Sequence, residues 1–495
     1  MSNSISSKLL AKNTIWNFSG LIFPLLIGIF SIPILIEGMG KERFGLLTII
    51  WMGVGYFSLF DMGLSRALTK LISERLGNNN ADENFGSLIW SALWLIISFG
   101  FLASILLGLS STALTQNVLL VPNTLIQEAT LALIILSFGL PFVILTTAMI
   151  GILEAHQNFR LITLIRIPLG LLTFLGPLAT LQFTPSLVWA TLAMLLGRII
   201  ACAIYFMAAT SCRRELLEPQ LPSKGETKAL FQFGGWLTVT NIIGPLMVYF
   251  DRFLIGAIIS MSAVTYYVTP FEVLSRLQLI TAAIMGVMFP ALTRLLVNEP
   301  KRLFFLYSKT TQSLLLIILP ITTFIFLFAP EGLALWLGKD FSEESTTVVK
   351  LLAIGWLINI LAQGPFTILQ SHGRPDLIAK THIAELIPYG VMLWFLTNRY
   401  GISGTAMAWV LRVLIDTIIL NSLVWVHIPI IRKILLRTLV ILVLIIIFAG
   451  ATWSINEPYF RMGLFFIVVL IIAPQVFKTI KEIFNPTKKE SYDQS

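Results

Sequence analysis

Apolar runs of roughly 18 to 25 residues recur from one end of this chain to the other, each long enough to cross a hydrocarbon core about 30 Å thick. Such runs leave few folds open. Lipid offers backbone groups no hydrogen-bond partners, so spanning segments must be helices or closed barrels. These runs are too long and too uniformly apolar for barrel strands. Of the 495 residues, 56% are hydrophobic and only 12% are charged, and the mean hydropathy is +0.87. Soluble domains carry about 25% charged residues. The expectation is an all-α polytopic membrane protein with about 14 transmembrane helices. The polar start, "MSNSISSKLLAKN", leads into a long span with no small-residue cleavage site behind a short apolar core, so no removable signal peptide is expected.

Orientation follows from the basic residues. With the N-terminus in the cytoplasm, inside segments hold about 24 of the 34 Lys and Arg, and outside segments only about six. Both termini are therefore expected to be cytoplasmic, and Arg66, Lys70 and Arg75 read as the inner anchor of the second span. The net charge of +9 is then a topology signal, and no nucleic-acid partner is needed to explain it. Cys202 and Cys212 form no disulfide framework, and His156, His372, His382 and His427 are scattered over loops and helix ends, so no metal centre is expected.

The chain repeats itself. "FPLL" at 23–26 precedes "GPLM" at 244–247 by 221 residues, and "ALTKL" at 67–71 returns as "ALTRL" at 291–295, 224 residues on. An even number of spans separates each pair, so the halves share one orientation. This predicts an N-terminal six-helix half at 1–212, a cytoplasmic linker at 213–229 and a C-terminal six-helix half at 230–428. Two extra helices at 429–480 and a cytoplasmic tail at 481–495 complete the chain. Transporters built from such repeats place the substrate between the halves.

Ionisable groups inside spans are costly unless they face a polar interior, which makes them functional candidates. In the second span Asp61 shares a face with Ser58, Ser65 and Thr69, spaced three or four apart. That face can line a wet cavity, or Asp61 can act as a capping or hinge carboxylate. The eighth span repeats the spacing with Thr265, Thr269, Glu272 and Arg276, and the twelfth with Thr405, Trp409, Arg412 and Asp416. Glu272–Arg276 and Arg412–Asp416 can be cavity groups or inert ion pairs. Arg198 lies mid-span without an acid nearby, and Arg252 follows Asp251 near the outer end of the seventh span. Glu37 and Glu385, close to span ends, read as interfacial. Arg198, Arg252, Arg276 and Arg412 are thus candidate substrate ligands, and Asp61, Glu272 and Asp416 candidate cavity or ion-coupling carboxylates.

The stretch "FGLLTIIWMGVGYFSLFDMGLSRALTKLISE" (44–74) resembles the signature region of bacterial polysaccharide-biosynthesis membrane proteins, with "GYFSLFDMGLSRALTK" its specific core. These are the lipid-linked oligosaccharide flippases of O-antigen, capsule and exopolysaccharide pathways. Their superfamily, the multidrug/oligosaccharidyl-lipid/polysaccharide exporters, also holds multidrug extruders and the lipid II flippase. The resemblance implies a transporter in the bacterial inner membrane. It would move an undecaprenyl-diphosphate-linked oligosaccharide outward by alternating access, as a monomer, with membrane lipids and a downstream glycan polymerase as partners. It implies no cofactor, and coupling to an H+ or Na+ gradient is open. The lipid II branch carries arginines in its first span, whereas this chain has none between Lys12 and Glu37, so the four arginines named above are chosen by charge and depth. Guanidinium groups suit a diphosphate, and the apolar thirteenth and fourteenth spans suit contact with a prenyl tail. The alternatives are a cation-coupled multidrug extruder, which would use the acids, and a membrane polymerase or ligase, which short outer loops disfavour.

Overall fold

The computed structural model describes residues 26–57, 61, 63–77, 85–298, 300–455 and 457–484. Ser58, part of the expected polar face, and the outermost turns of the first span lie outside the described residues. So do the tail beyond 484 and the start of the chain, with the "FPL" of its first repeat. The described chain is helical, with no strand. The helices are α1 (Leu26–Met39), α2 (Lys41–Phe57), α3 (Leu64–Gly77), α4 (Phe85–Ala113), α5 (Ile126–Ala155), α6 (Phe159–Leu181), α7 (Leu187–Cys212) and α8 (Lys224–Ile258). They continue as α9 (Met261–Ser275), α10 (Leu277–Asn298), α11 (Pro300–Leu327), α12 (Ala329–Leu337), α13 (Lys339–Ser371), α14 (Pro375–His427), α15 (Arg432–Thr452) and α16 (Pro458–Phe484). Among the described residues, nine helical stretches are long and apolar enough to cross a membrane.

Four expected spans do not each form one separate rod. The second is divided into α2 and α3, and the eighth into α9 and α10, with Arg276 at the junction. The eleventh and twelfth run together as α14, which turns back at Gly401, where φ is +60°. Side-chain contacts across that turn join 397 with 405, 385 with 412 and 382 with 416. Each pair of numbers sums to nearly the same total, which is the signature of two antiparallel arms.

By its contacts the chain divides into two units, Met1–Val268 and Thr269–Ser495, so that α8 and the start of α9 group with the first. The reason is local. Gly45 lets α2 approach the α9 backbone closely: a Cβ there would lie 2.0 Å from the Met261 carbonyl oxygen. The Thr265 hydroxyl donates to the Lys41 carbonyl at 2.6 Å, and the Ser262 hydroxyl to Glu42 Oε1 at 2.8 Å. At the other end of α8, Arg75 holds Glu226 through Nη2 at 2.7 and 2.8 Å.

Inside the first unit Glu128 pairs with Arg43 Nε at 3.0 Å and accepts the Leu187 amide, tying α2, α5 and the first turn of α7 together. In the second unit the core runs through Leu303 and Tyr307 of α11, Ile368 of α13, Leu420 and Val424 of α14 and Leu435 of α15. Large apolar side chains face outward in quantity, among them Leu109 of α4, Val443 and Ile447 of α15 and Leu470 of α16. In water such surface would drive aggregation; against acyl chains it costs nothing.

Candidate functional site

Asp61 sits where the second span breaks. Gly63 has φ +70°, a left-handed conformation that a glycine adopts without a Cβ clash. The Asp61 carboxylate turns back over the start of α3: Oδ1 accepts the Gly63 amide at 3.0 Å and Oδ2 the Ser65 amide at 3.2 Å. A carboxylate at these free amides satisfies donors that helix geometry leaves unpaired and sits at the positive end of the helix dipole. The Thr147 hydroxyl of α5 donates to Oδ2 at 3.4 Å and lies 2.8 Å from the Ser65 hydroxyl. The Thr69 hydroxyl reaches the Gly151 carbonyl at 3.1 Å. The described part of the polar face is thus packed against α5, and Asp61 does the work of a cap. Asp61→Ala is expected to destabilise the protein by about 1–2 kcal/mol, and Asp61→Asn by less. Thermal unfolding in detergent measures the difference.

The cations of the first unit gather around one tyrosine. Tyr205 of α7 is buried and donates to the Ile162 carbonyl at 3.0 Å. Arg166 of α6 hydrogen-bonds its hydroxyl, and the Arg198 guanidinium acts on it electrostatically. Arg198 is half-buried and has no ion pair among the described residues. Arg166 also acts on Glu154 at the end of α5, as does the exposed Arg66 of α3. Two guanidinium groups therefore act on one acid, and Arg166 links that acid to the Tyr205–Arg198 pair. Unpaired positive charge at depth is costly, and an anionic ligand offsets that cost. Arg252 belongs elsewhere. It is buried against the Tyr249 ring, 4.9 Å from its centroid, while its neighbour Asp251 accepts the Tyr267 hydroxyl at 2.7 Å.

In the second unit Arg276 Nη2 pairs with Glu272 Oε2 at 3.2 Å, and both side chains are about one-third exposed (38% and 33%) at the α9–α10 junction. Next to Glu272, Phe271 meets Trp356 and Trp409 edge-on, with centroids 5.9 and 5.5 Å away. Arg412 and Asp416 differ from the sequence expectation in their partners. Arg412 turns across to the opposite arm of α14, with Nε 3.7 Å from Glu385 Oε2 and the guanidinium 5.5 Å from the Tyr389 ring. Asp416 Oδ1 lies 3.6 Å from His382 Nε2. Glu385, expected at an interface, is instead buried, at 7% exposure. Its depth looked shallow by counting from the span end, but it faces the other arm rather than the surface. Glu37 is exposed.

A cavity of about 280 Å³ opens between α11, α13, α15 and α16, lined by apolar groups such as Phe326, Ala353, Leu357, Ile445, Ala449 and Ile472. Two buried cations border its residues. Lys350 donates to the Trp453 carbonyl at 3.0 Å and lies over the Phe326 and Trp453 rings. Arg461 donates to the Leu327 carbonyl at 2.8 Å and pairs with Glu331 at 3.0 Å. Among the described residues no group of His, Cys, Asp and Glu could hold a metal ion.

Sequence and fold comparisons agree with this architecture. The family model described as "Polysaccharide biosynthesis protein" matches residues 10–296, more than half of the chain. The "Putative O-antigen transporter" of Shigella flexneri is 32% identical over 414 residues, covering 83% of this chain and 97% of its own. The chain belongs to the polysaccharide biosynthesis protein family. Its fold is also that of solved transporters. An inward-facing multidrug resistance transporter of the MATE family superposes with a TM-score of 0.67 at 16% identity, covering 86% of this chain and 99% of its own. The lipid II flippase MurJ, in an inward closed conformation, gives 0.64 at 14% identity, with 95% and 99% covered.

The stretch matched by the family holds Asp61, Arg66, Arg166, Arg198, Arg252, Glu272 and Arg276, whereas the ionisable side chains of α14 lie C-terminal to it. Within this family member, the sequence signals missed Arg166, which its position marks as a topology anchor, and the Glu385–His382 side of α14. The turn at Gly401 was the one signal that could have placed Glu385 opposite Arg412.

Proposed function

We propose that this chain is a flippase that moves an undecaprenyl-diphosphate-linked oligosaccharide across the bacterial inner membrane, by alternating access, for O-antigen, capsule or exopolysaccharide assembly. The observation that carries the reading is the likeness to the Shigella O-antigen transporter along 97% of that protein's length. The chemistry supports it. A diphosphate carries several charged oxygens that guanidinium groups bind bidentately, and the Arg66–Arg166–Arg198 group has positive charge to offer. Arg276 and Arg252 are further candidates. A prenyl tail needs only apolar contact, which the cavity beside α15 and α16 supplies. Both termini lie on the cytoplasmic side in this reading. The protein acts as a monomer and hands its cargo to a glycan polymerase on the outer face.

Deleting the gene and analysing surface glycan together with lipid-linked intermediates tests the proposal. Loss of one polymer, with repeat units held on undecaprenyl diphosphate at the inner leaflet, supports it and names the cargo. The likeness of fold to a multidrug transporter favours one second reading, a cation-coupled extruder. An unchanged glycan profile with new sensitivity to cationic drugs selects that reading instead. A narrower prediction concerns the cavity. Ala449→Phe fills apolar space without new polarity, so export is expected to fall severalfold while protein level holds, as read from surface glycan and immunoblot.

A further inference from the structure

The antiparallel arms of α14 hold a buried group of ionisable side chains. Glu385 and Asp416 are 7% and 8% exposed, and the Arg412 side chain is 13% exposed. His382, at 26%, is the most accessible member. With His382 neutral, two carboxylates stand against one guanidinium, a net charge of −1 in an apolar bundle. Such an excess is strongly disfavoured away from water. One proton removes it.

The hydrogen-bond geometry carries the same message independently. Both oxygens of Glu385, Oδ1 of Asp416 and Nε of Arg412 are buried with no hydrogen-bond partner among the described residues. The two ion pairs, at 3.6 and 3.7 Å, sit just beyond hydrogen-bond reach. A proton on Glu385 or His382 converts an acceptor into a donor in a place where acceptors are in surplus. Among the described residues, the charges acting on Glu385 are those of Asp416, Arg412 and His382. α13, packed along α14, has no ionisable residue between Lys350 and His372. Arg432, Lys433 and Arg437 of α15 stand in its first two turns, and Arg432 is bound to the Trp425 carbonyl. The Arg412 guanidinium lies against Glu385, and its like charge repels a metal cation.

We propose that His382, Glu385, Arg412 and Asp416 form a one-proton site, loaded from water at His382, and that the coupling ion of this transporter is H+ and not Na+. Only the statement of what the proton is coupled to rests on the flippase reading.

The test begins with the purified full-length protein and a pH titration followed by infrared difference spectroscopy between about pH 5 and 8. A buried carboxyl signal is expected to titrate with imidazole, to vanish in Glu385→Gln and to shift its midpoint in His382→Gln. Asp376→Asn, an exposed change, leaves it in place. Size-exclusion profiles confirm that each variant is folded. No titrating carboxyl, or one unaffected by Glu385→Gln, overturns the site. A midpoint that moves when Na+ replaces K+ overturns the choice of ion. Surface glycan in cells carrying Glu385→Gln gives the second readout, expected to be largely lost. Wild-type glycan in that variant, where gene deletion abolishes it, overturns the coupling. Glycan unaffected by gene deletion itself, with the infrared signal intact, sinks the flippase reading and leaves the proton site standing.

Discussion

Surface glycan in cells carrying Arg166→Ala together with Arg198→Ala is expected to fall at least about a hundredfold, with the protein still folded and inserted. Each guanidinium that binds a desolvated phosphate oxygen contributes about 1.5–3 kcal/mol, so losing two exceeds a factor of ten several times over. The pair is chosen because Arg166 and Arg198 converge on Tyr205 from adjacent helices, α6 and α7. Arg198 has no ion pair among the described residues of the kind by which Arg43 holds Glu128. Folding should therefore tolerate its loss. The double Lys variant keeps the charge but not the planar fork and should retain an intermediate level of export. Immunoblots of membranes check abundance. Wild-type glycan in the double Ala variant would remove this group from the list of cargo ligands.

The second large effect is on folding. Gly45→Ala should eliminate most of the folded protein, because the new methyl group would lie 2.0 Å from the Met261 carbonyl oxygen and 3.0 Å from the Thr265 hydroxyl. The obstacle is backbone, which cannot rotate away as a side chain can, so α2 must separate from α9. Overpacking at such a contact costs typically 1–3 kcal/mol and more where backbone blocks relaxation. Separation would also break the Thr265 hydrogen bond to Lys41. Gly450→Ala, on α15 with nothing within 4 Å of the added methyl, is the matched control and should behave as wild type. Fluorescence-detected size-exclusion of the solubilised protein compares the two.

Much of this architecture was legible in the residues because lipid imposes one rule on every span: apolar side chains outside, hydrogen bonds inside. The helical stretches fall on the apolar runs for that reason, and "GYFSLFDMGLSRALTK" marked the family. The spacing of Asp61, Ser65 and Thr69 suggested one polar face, but spacing cannot say what the face meets. Here it meets Thr147 and Gly151 of α5, and the capping role follows from a helix break that a hydrophobic pattern hides. Arg412 and Asp416 were visible as a pair, whereas their partners, Glu385 and His382, are 27 and 34 positions away in sequence. Only the turn at Gly401 brings them opposite one another, and the register of such a turn is set by packing.

The interruption between α2 and α3 also has a mechanical meaning. A continuous helix in lipid is stiff, because bending it opens backbone hydrogen bonds that no solvent can replace. At Gly63 the backbone leaves helical geometry, and the Asp61 side chain binds the amides of Gly63 and Ser65 at the start of α3. Torsion at Gly63 can then redirect α3 relative to Asp61. The second span thus has a built-in elbow beside Asp61 and Gly63.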